Sequence, residues 1–170
     1  MTPAGVGRLK LDEGLRLVAY PDPLSPLAKE CRRRGLKAEQ YRSVPNWQAF
    51  SGKPWTNGYG HAHDVQPGEV WTLAKAEAVL TADIETHWRD LIEALPWVAR
   101  LDPVRADVVL NLAFNLGVPG LLKWPATLAH IQAGAYAAAA NDLLHEGKWN
   151  DQVGERATRL SAAMLKGSWS

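Results

Sequence analysis

The chain has one cysteine, Cys31, in 170 residues, so it can form no internal disulfide, and its core must be held by packing. A lone thiol fits folding in a reducing cytoplasm. No stretch reaches the roughly 18 apolar residues that span a bilayer. The opening MTPAGVGRLKLDEG carries Arg8, Lys10, Asp12 and Glu13 where a signal peptide needs an apolar run, so we expect neither a signal peptide nor a transmembrane segment. Charge of one sign is also lacking: 19 basic against 18 acidic residues leave a formal +1. No field of one sign therefore covers the molecule, and nucleic acid is not an expected partner. There is no repeat of fixed period and no low-complexity tract beyond AAAA in an alanine-rich helix.

What is present suits one compact domain, 1–170, of ordinary hydrophobic content at 46%. Eight tryptophans is a high count. Core packing accounts for indoles in general, and sugar rings also stack on them, so some can line a groove.

The first segment reads as a helix ending near Glu13, with Val6 and Leu9 on one face and Gly14 just past its end. LRLVAYPD then alternates, Leu15, Leu17 and Ala19 opposite Arg16 and Val18, as a strand ending at Pro21 and Pro23. WTNGYGHA is a second short strand. Between them, residues 23–50 read as a small helical insertion. Ser25 and Pro26 are cap and first position of a helix through LAKECRRR that stops at Gly35, and LKAEQYR adds a turn or two before Pro45. From Leu73 the pattern is helical. Ala76, Leu80, Ile84, Leu91 and Leu95 form a stripe, Asp102–Pro103 opens a helix closed by Gly117, and PATLAHIQAG, AYAAAANDLLHEG and ERATRLSAAMLKG each end in glycine. The expected fold is α+β, mainly α. It has a small lobe over about 12–72 with a β-hairpin, and a helical lobe over about 73–170 plus the N-terminal helix.

Glu13 and Asp22 are nine positions apart and cannot share a helix face. A helix end and a strand end joined by a tight turn can still aim both carboxylates into one cleft. Cleavage of a glycosidic bond needs such a pair, one acid to protonate the leaving oxygen and one carboxylate to activate water or attack carbon. On spacing alone, two solvated surface acids, one near a helix terminus, are the commoner explanation of such a pair.

Context separates these readings. D-E-G-L-R-L-V-A-Y-P-D, followed by W-T-N-G-Y-G-H, resembles the catalytic region of the phage lysozymes (glycoside hydrolase family 24). So do R-A-D-V-V-L-N-L-A-F-N-L-G, K-W-N-D-Q-V-G-E-R-A-T-R-L and the later G-S-W. The resemblance implies a lysozyme-like fold, Glu13 as general acid, Asp22 as base or electrostatic partner, and Thr56 as holder of a water. It implies substrate contacts from Asn115 and Trp149, and an arginine, Arg156, facing the catalytic glutamate. Such an ion pair favours the ionised carboxylate and burial the protonated one, and the two effects stay open at this point. Trp55, beside Thr56, either floors a sugar subsite or packs under the insertion. The chain departs from the family twice: 33 residues, 23 to 55, separate Asp22 from Thr56 where a short turn is usual, and Asn57 stands where a β-branched residue is common.

His61, His63 and Asp64 have the look of a metal site, but a zinc site wants a further ligand and none accompanies them. The family makes His61 structural, bonded to Asp83, with His63 solvated. No metal and no cofactor is expected. Arg32, Arg33 and Arg34 form the densest basic patch, either a solvated helix face or a contact for anionic envelope components. Cys31 has no Cys–His–Asn pattern around it and reads as an ordinary thiol.

The resemblance thus implies a muramidase acting on the β-1,4 bond between N-acetylmuramic acid and N-acetylglucosamine of peptidoglycan. The protein would act as a monomer in phage lysis, held in the host cytoplasm until a holin-type pore releases it. A lytic transglycosylase cuts the same bond without water and can dispense with the second carboxylate. A secreted antibacterial effector or a non-enzymatic wall-binding module would share the fold. Inversion is implied by the family alone, and carboxyl groups ~6.5–9.5 Å apart rather than ~5 Å would suit it.

Overall fold

A computed structural model describes residues 1–145 and 147–169. Its contacts group into two units, Met1–Asp12 with Ile84–Ser170, and Glu13–Asp83. No helix among the described residues is long and apolar enough to cross a membrane. The architecture is mainly α with one two-stranded antiparallel sheet, the α+β class expected.

The unit of Glu13–Asp83 holds the sheet. β1 (Arg16–Pro21) pairs with β2 (Trp55–Gly58), Tyr20 opposite Thr56 and Pro21 opposite Trp55, with an irregularity between Arg16 and Tyr20. The other edge of β1 is taken by residues 69–71: Ala19 N donates to Glu69 O at 2.9 Å and Trp71 N to Leu17 O at 2.8 Å. Alternation along β1 buries Ala19 and Pro21. Leu15, expected on the inner face, precedes the strand and is 41% exposed.

Residues 23–50 fold as a helical insertion with its own core. α2 (Pro26–Arg33) starts where Ser25 Oγ accepts from Ala28 N at 3.2 Å, with proline in the first turn where no N–H is needed. Two 3-10 turns follow, Ala38–Ser43 and Trp47–Ala49; the second is too short to leave a periodic signal. Leu27, Cys31, Tyr41 and Val44 are buried to within 1%. Tyr41 meets Trp47 and Trp55 edge-on, with ring centroids 5.0 and 4.8 Å apart. Such aromatic pairs each contribute about 0.5–1.5 kcal/mol beyond area burial, which suffices to hold a short segment in one conformation. At its base Leu27 N donates to Ser51 O at 3.0 Å, so the insertion leaves and returns at one place. α3 (Leu73–Ala94) follows, with Ala76, Leu80, Ile84 and Leu91 buried as the stripe predicts. Leu95 lies beyond its end.

In the other unit, α1 (Pro3–Glu13) contributes its residues up to Asp12. α4 (Pro103–Leu116) is buried continuously from Asp107 to Ala113, as a central helix must be. Asp102 caps it, accepting from Arg105 N at 3.1 Å, and Gly117 ends it. α6 (Pro125–Gln132), α7 (Tyr136–His145) and α9 (Glu155–Lys166) lie where the sequence predicts them; α7 packs on α6 and α9, and α9 on α4. The glutamate before the expected stop of α7, Glu146, lies outside the described residues. Two helices go unforeseen, α5 (Val118–Leu121) and α8 (Gly147–Val153), because four and seven residues are too few to establish a 3.6-residue period.

Candidate active site

α1 ends on Glu13, and Gly14 (φ +68°) turns the chain into β1 in a conformation side chains resist. Glu13 Oε2 lies 3.4 Å from where a Cβ on Gly60 would stand, so the carboxylate rests on bare backbone after β2 (φ +87° at Gly60). Tyr20 stands opposite Thr56 across the sheet. Burial holds its phenol above the ordinary value, Arg16 and a hydrogen bond with Thr56 oppose the rise, and the charges of Glu13 and Glu39 add to it. Thr56 itself is 8% exposed.

Asp22 follows β1 directly. Its N–H donates to both Gly52 O (3.1 Å) and Pro54 O (3.0 Å), and its Oδ1 accepts from Leu24 N at 2.7 Å. Ser25 N reaches back to Asp22 O at 2.9 Å. Asp22 is therefore pinned at the mouth of the insertion, directly after the strand in which Tyr20 stands opposite Thr56. The 33 intervening residues, 23 to 55, do not part the hairpin; they loop out from its tip.

The departure at Asn57 also has a cause. Its side chain is fully buried, its Oδ1 accepts from Gly58 N at 2.8 Å, and its Nδ2 donates to Glu69 O at 3.2 Å. Asn57 thus ties β2 to the third segment of the sheet, a task no apolar residue performs. His61 binds Asp83 through Nδ1 at 2.8 Å, and its Nε2 meets His63 O at 2.9 Å. Both ring nitrogens are engaged, which makes His61 a brace between strand and helix, and His63 lies on the surface beside Asp64. Among the described residues no group of three or more His, Cys, Asp or Glu could hold a metal. Cys31 is fully buried, and burial pushes its thiol up, away from reactivity. Trp55 is 6% exposed and packs under the insertion against Tyr41 and Trp47.

In the helical unit, Asn115 is exposed near the end of α4, and its Oδ1 accepts from Trp149 Nε1 at 2.8 Å. Trp149 is 7% exposed and stands edge-on to Trp124. The bond occupies the amide oxygen of Asn115, an exposed residue, and not its N–H₂ group. Arg156 is 6% exposed; its Nε donates to Asn111 Oδ1 at 2.9 Å, and it lies 3.6 Å from the Asp12 carboxylate. Arg159 and Asn111 also bond Asp12. Asp12 and Asn111, like Tyr20, escape a reading based on catalytic residue types. Their signal is positional: Asp12 precedes Glu13, and Tyr20 faces Thr56 once the hairpin register is known.

The basic run is partly neutralised from within. Arg33 and Arg34 both bond Glu30 at 2.7 Å and hold its carboxyl down to about 2. Arg32 donates to Pro23 O at 2.7 Å.

The phage lysozyme family matches residues 32–163, more than three quarters of the chain. This chain belongs to the phage lysozyme family. Over 124 residues it is 32% identical to an endolysin of Bacillus phage B103, covering 71% of this chain and 42% of that protein. It is thus matched to less than half the length of that relative. An endolysin of Acyrthosiphon pisum secondary endosymbiont phage 1 is 29% identical over 119 residues, 70% of this chain and 73% of its own. A probable T4-type lysozyme 1 of Dictyostelium discoideum is 25% identical over 103 residues, 58% and 59% of the two chains. The family match of this phage lysozyme relative takes in Trp55, Thr56, Asn115, Trp149 and Arg156, whereas Glu13 and Asp22 precede it.

Proposed function

We propose that this member of the phage lysozyme family is an N-acetylmuramidase, one catalytic domain that hydrolyses the β-1,4 bond between N-acetylmuramic acid and N-acetylglucosamine. The observation that carries the reading is the closed hairpin. Tyr20 pairs with Thr56 while Asp22 is bonded to the backbone of residues 52 and 54, and Glu13 lies against Gly60, just past the end of β2. Glu13 is the general acid that protonates the leaving oxygen. Asp22 and Thr56 hold the attacking water between them, each accepting one of its protons, so that its lone pair faces the anomeric carbon. A water held in that way gives inversion. Asn115 offers its amide to the glycan, with Trp149 fixing its orientation. Arg156 serves the helical unit through its bonds to Asn111 and its charge beside Asp12, and Trp55 supports the strand of Thr56 from beneath. The substrate is peptidoglycan, and the setting is phage lysis, the protein staying in the host cytoplasm until a pore lets it reach the wall.

Clearing of isolated cell walls tests this. Glu13→Gln should lower the rate by about 10²–10⁴-fold, the usual contribution of a positioned acid, while leaving the fold intact. Mass spectrometry of the fragments should find reducing muramic ends. Equal clearing by both proteins would remove Glu13 from the mechanism, and anhydro ends would make the enzyme a transglycosylase.

A further inference from the structure

The insertion does more than close on itself. Between α2, the turn at Ala38–Ser43 and the start of β1 lies an open pocket of about 450 Å³. Three cations line it, Arg16, Arg32 and Lys37, against one carboxylate, Glu39, an excess of two positive charges. Their states differ. Arg16 is bonded to Glu39 at 2.8 Å and lies over the Tyr20 ring at 4.4 Å. Arg32 is oriented by Pro23 O and has further N–H groups of its fork to offer. Lys37 is exposed and makes no ion pair among the described residues. The remaining wall is apolar, from Ala28, Leu36 and Ala38.

This pocket borders the proposed catalytic hairpin on two sides. Pro23, one of its walls, follows Asp22, and Arg16 stacks on the tyrosine that shares a hydrogen bond with Thr56. The geometry points to a subsite for an anionic peptide attached to the glycan: Arg32 and Lys37 take a peptide carboxylate while Ala28, Leu36 and Ala38 pack on short side chains such as alanine. Only the substrate named rests on the muramidase reading. In that substrate the muramic sugar at the scissile bond bears the peptide, so a peptide subsite must stand beside the catalytic carboxylates. An isolated phosphate would need the cations but not the apolar wall, which favours the peptide over a phosphorylated wall polymer.

The test compares two wall preparations, one with its peptides removed by an amidase and one with its phosphopolymers removed by acid. The readout is KM on each relative to untreated wall, with circular dichroism verifying the fold of each variant. Lys37→Glu should raise KM about fivefold on untreated and phosphopolymer-free wall, the scale of a partly exposed charge pair, and much less on peptide-free wall. Arg34→Gln, whose partner is Glu30 outside the pocket, should track the wild type throughout. A KM increase that vanishes with the phosphopolymer and persists without peptide would overturn the peptide assignment, as would equal KM values for Lys37→Glu and wild type. A soluble muramoyl peptide titrated into the Glu13→Gln protein should perturb the amide signals of Ala28, Leu36 and Ala38, an effect lost in Glu13→Gln combined with Lys37→Glu. That readout needs no turnover, so absent perturbation refutes the subsite, whereas perturbation without wall cleavage by the wild type refutes the hydrolase reading alone.

Discussion

At the scale of single residues, Glu69 carries more of the site than its type suggests. Its carbonyl accepts from Ala19 N and from Asn57 Nδ2, joining β1 and β2 to the third segment. Its carboxylate takes Trp71 Nε1 at 2.7 Å, Lys75 Nζ at 2.8 Å and Gln66 N at 3.2 Å. Lys75 first, then the indole and the backbone amide, hold the carboxyl down to about 2, against 4.5 ordinarily. A depressed carboxylate stabilises the fold above its unfolded value and stops doing so as pH falls through its folded one. The contribution of Glu69 is therefore complete above about pH 4.5 and lost toward about pH 2. Denaturant unfolding of Glu69→Gln and wild type across that range should give a gap that is constant at neutral pH and closes in acid. A gap that widens in acid would contradict the assignment. Tyr20 illustrates the same point from the other side, since it stands opposite Thr56 and shares a side-chain hydrogen bond with it although its residue type is not one a catalytic reading looks for.

At the scale of elements, the insertion behaves as a folded part rather than a loop, and α2 is its one α-helix among the described residues. Eight residues cannot hold a helix alone, so the cap at Ser25, buried to 3%, matters. Ser25→Ala should cost about 1 kcal/mol, seen as a lower urea midpoint, because Ala28 N would lose its partner inside the protein. An unchanged midpoint would mean that water replaces the hydroxyl. The same cap explains how α2 was legible in advance: Ser25, Pro26 and Gly35 are local signals, as are Asp102, Pro103 and Gly117 around α4. Legibility failed where the decisive contact is distant. Nothing local says that Leu27 and Ser51 meet, that Asp22 N reaches residues 52 and 54, or that Asn57 is a tie to Glu69. Glu13, Asp22 and Thr56 could be named as candidates from their motifs. That Asp22 lies beside the strand of Thr56 required the pairing of Pro21 with Trp55 across the 33 residues from 23 to 55.

At the scale of the whole molecule, the near-zero charge hides an uneven distribution. Residues 23–50 hold six basic side chains (Lys29, Arg32, Arg33, Arg34, Lys37, Arg42) and two acidic ones (Glu30, Glu39), a balance of +4. The remaining chain has 13 basic and 16 acidic residues, a balance of −3, and the two sum to +1. Residues 23–50 are thus a cationic segment whose field reaches about a Debye length, ~10 Å at 0.1 M salt. Arg33 and Arg34 are already committed to Glu30, which leaves Arg32 and Lys37 among the cations able to meet an outside charge. Raising salt from about 20 to about 200 mM should slow wall clearing by the wild type a few-fold through screening. Combining Arg32→Gln with Lys37→Gln should lower the rate at low salt and flatten its salt dependence by more than half. Clearing rates of both proteins over that range decide the matter. A double variant as salt-sensitive as the wild type would move the wall-binding charge elsewhere in the chain and detach the insertion from substrate capture.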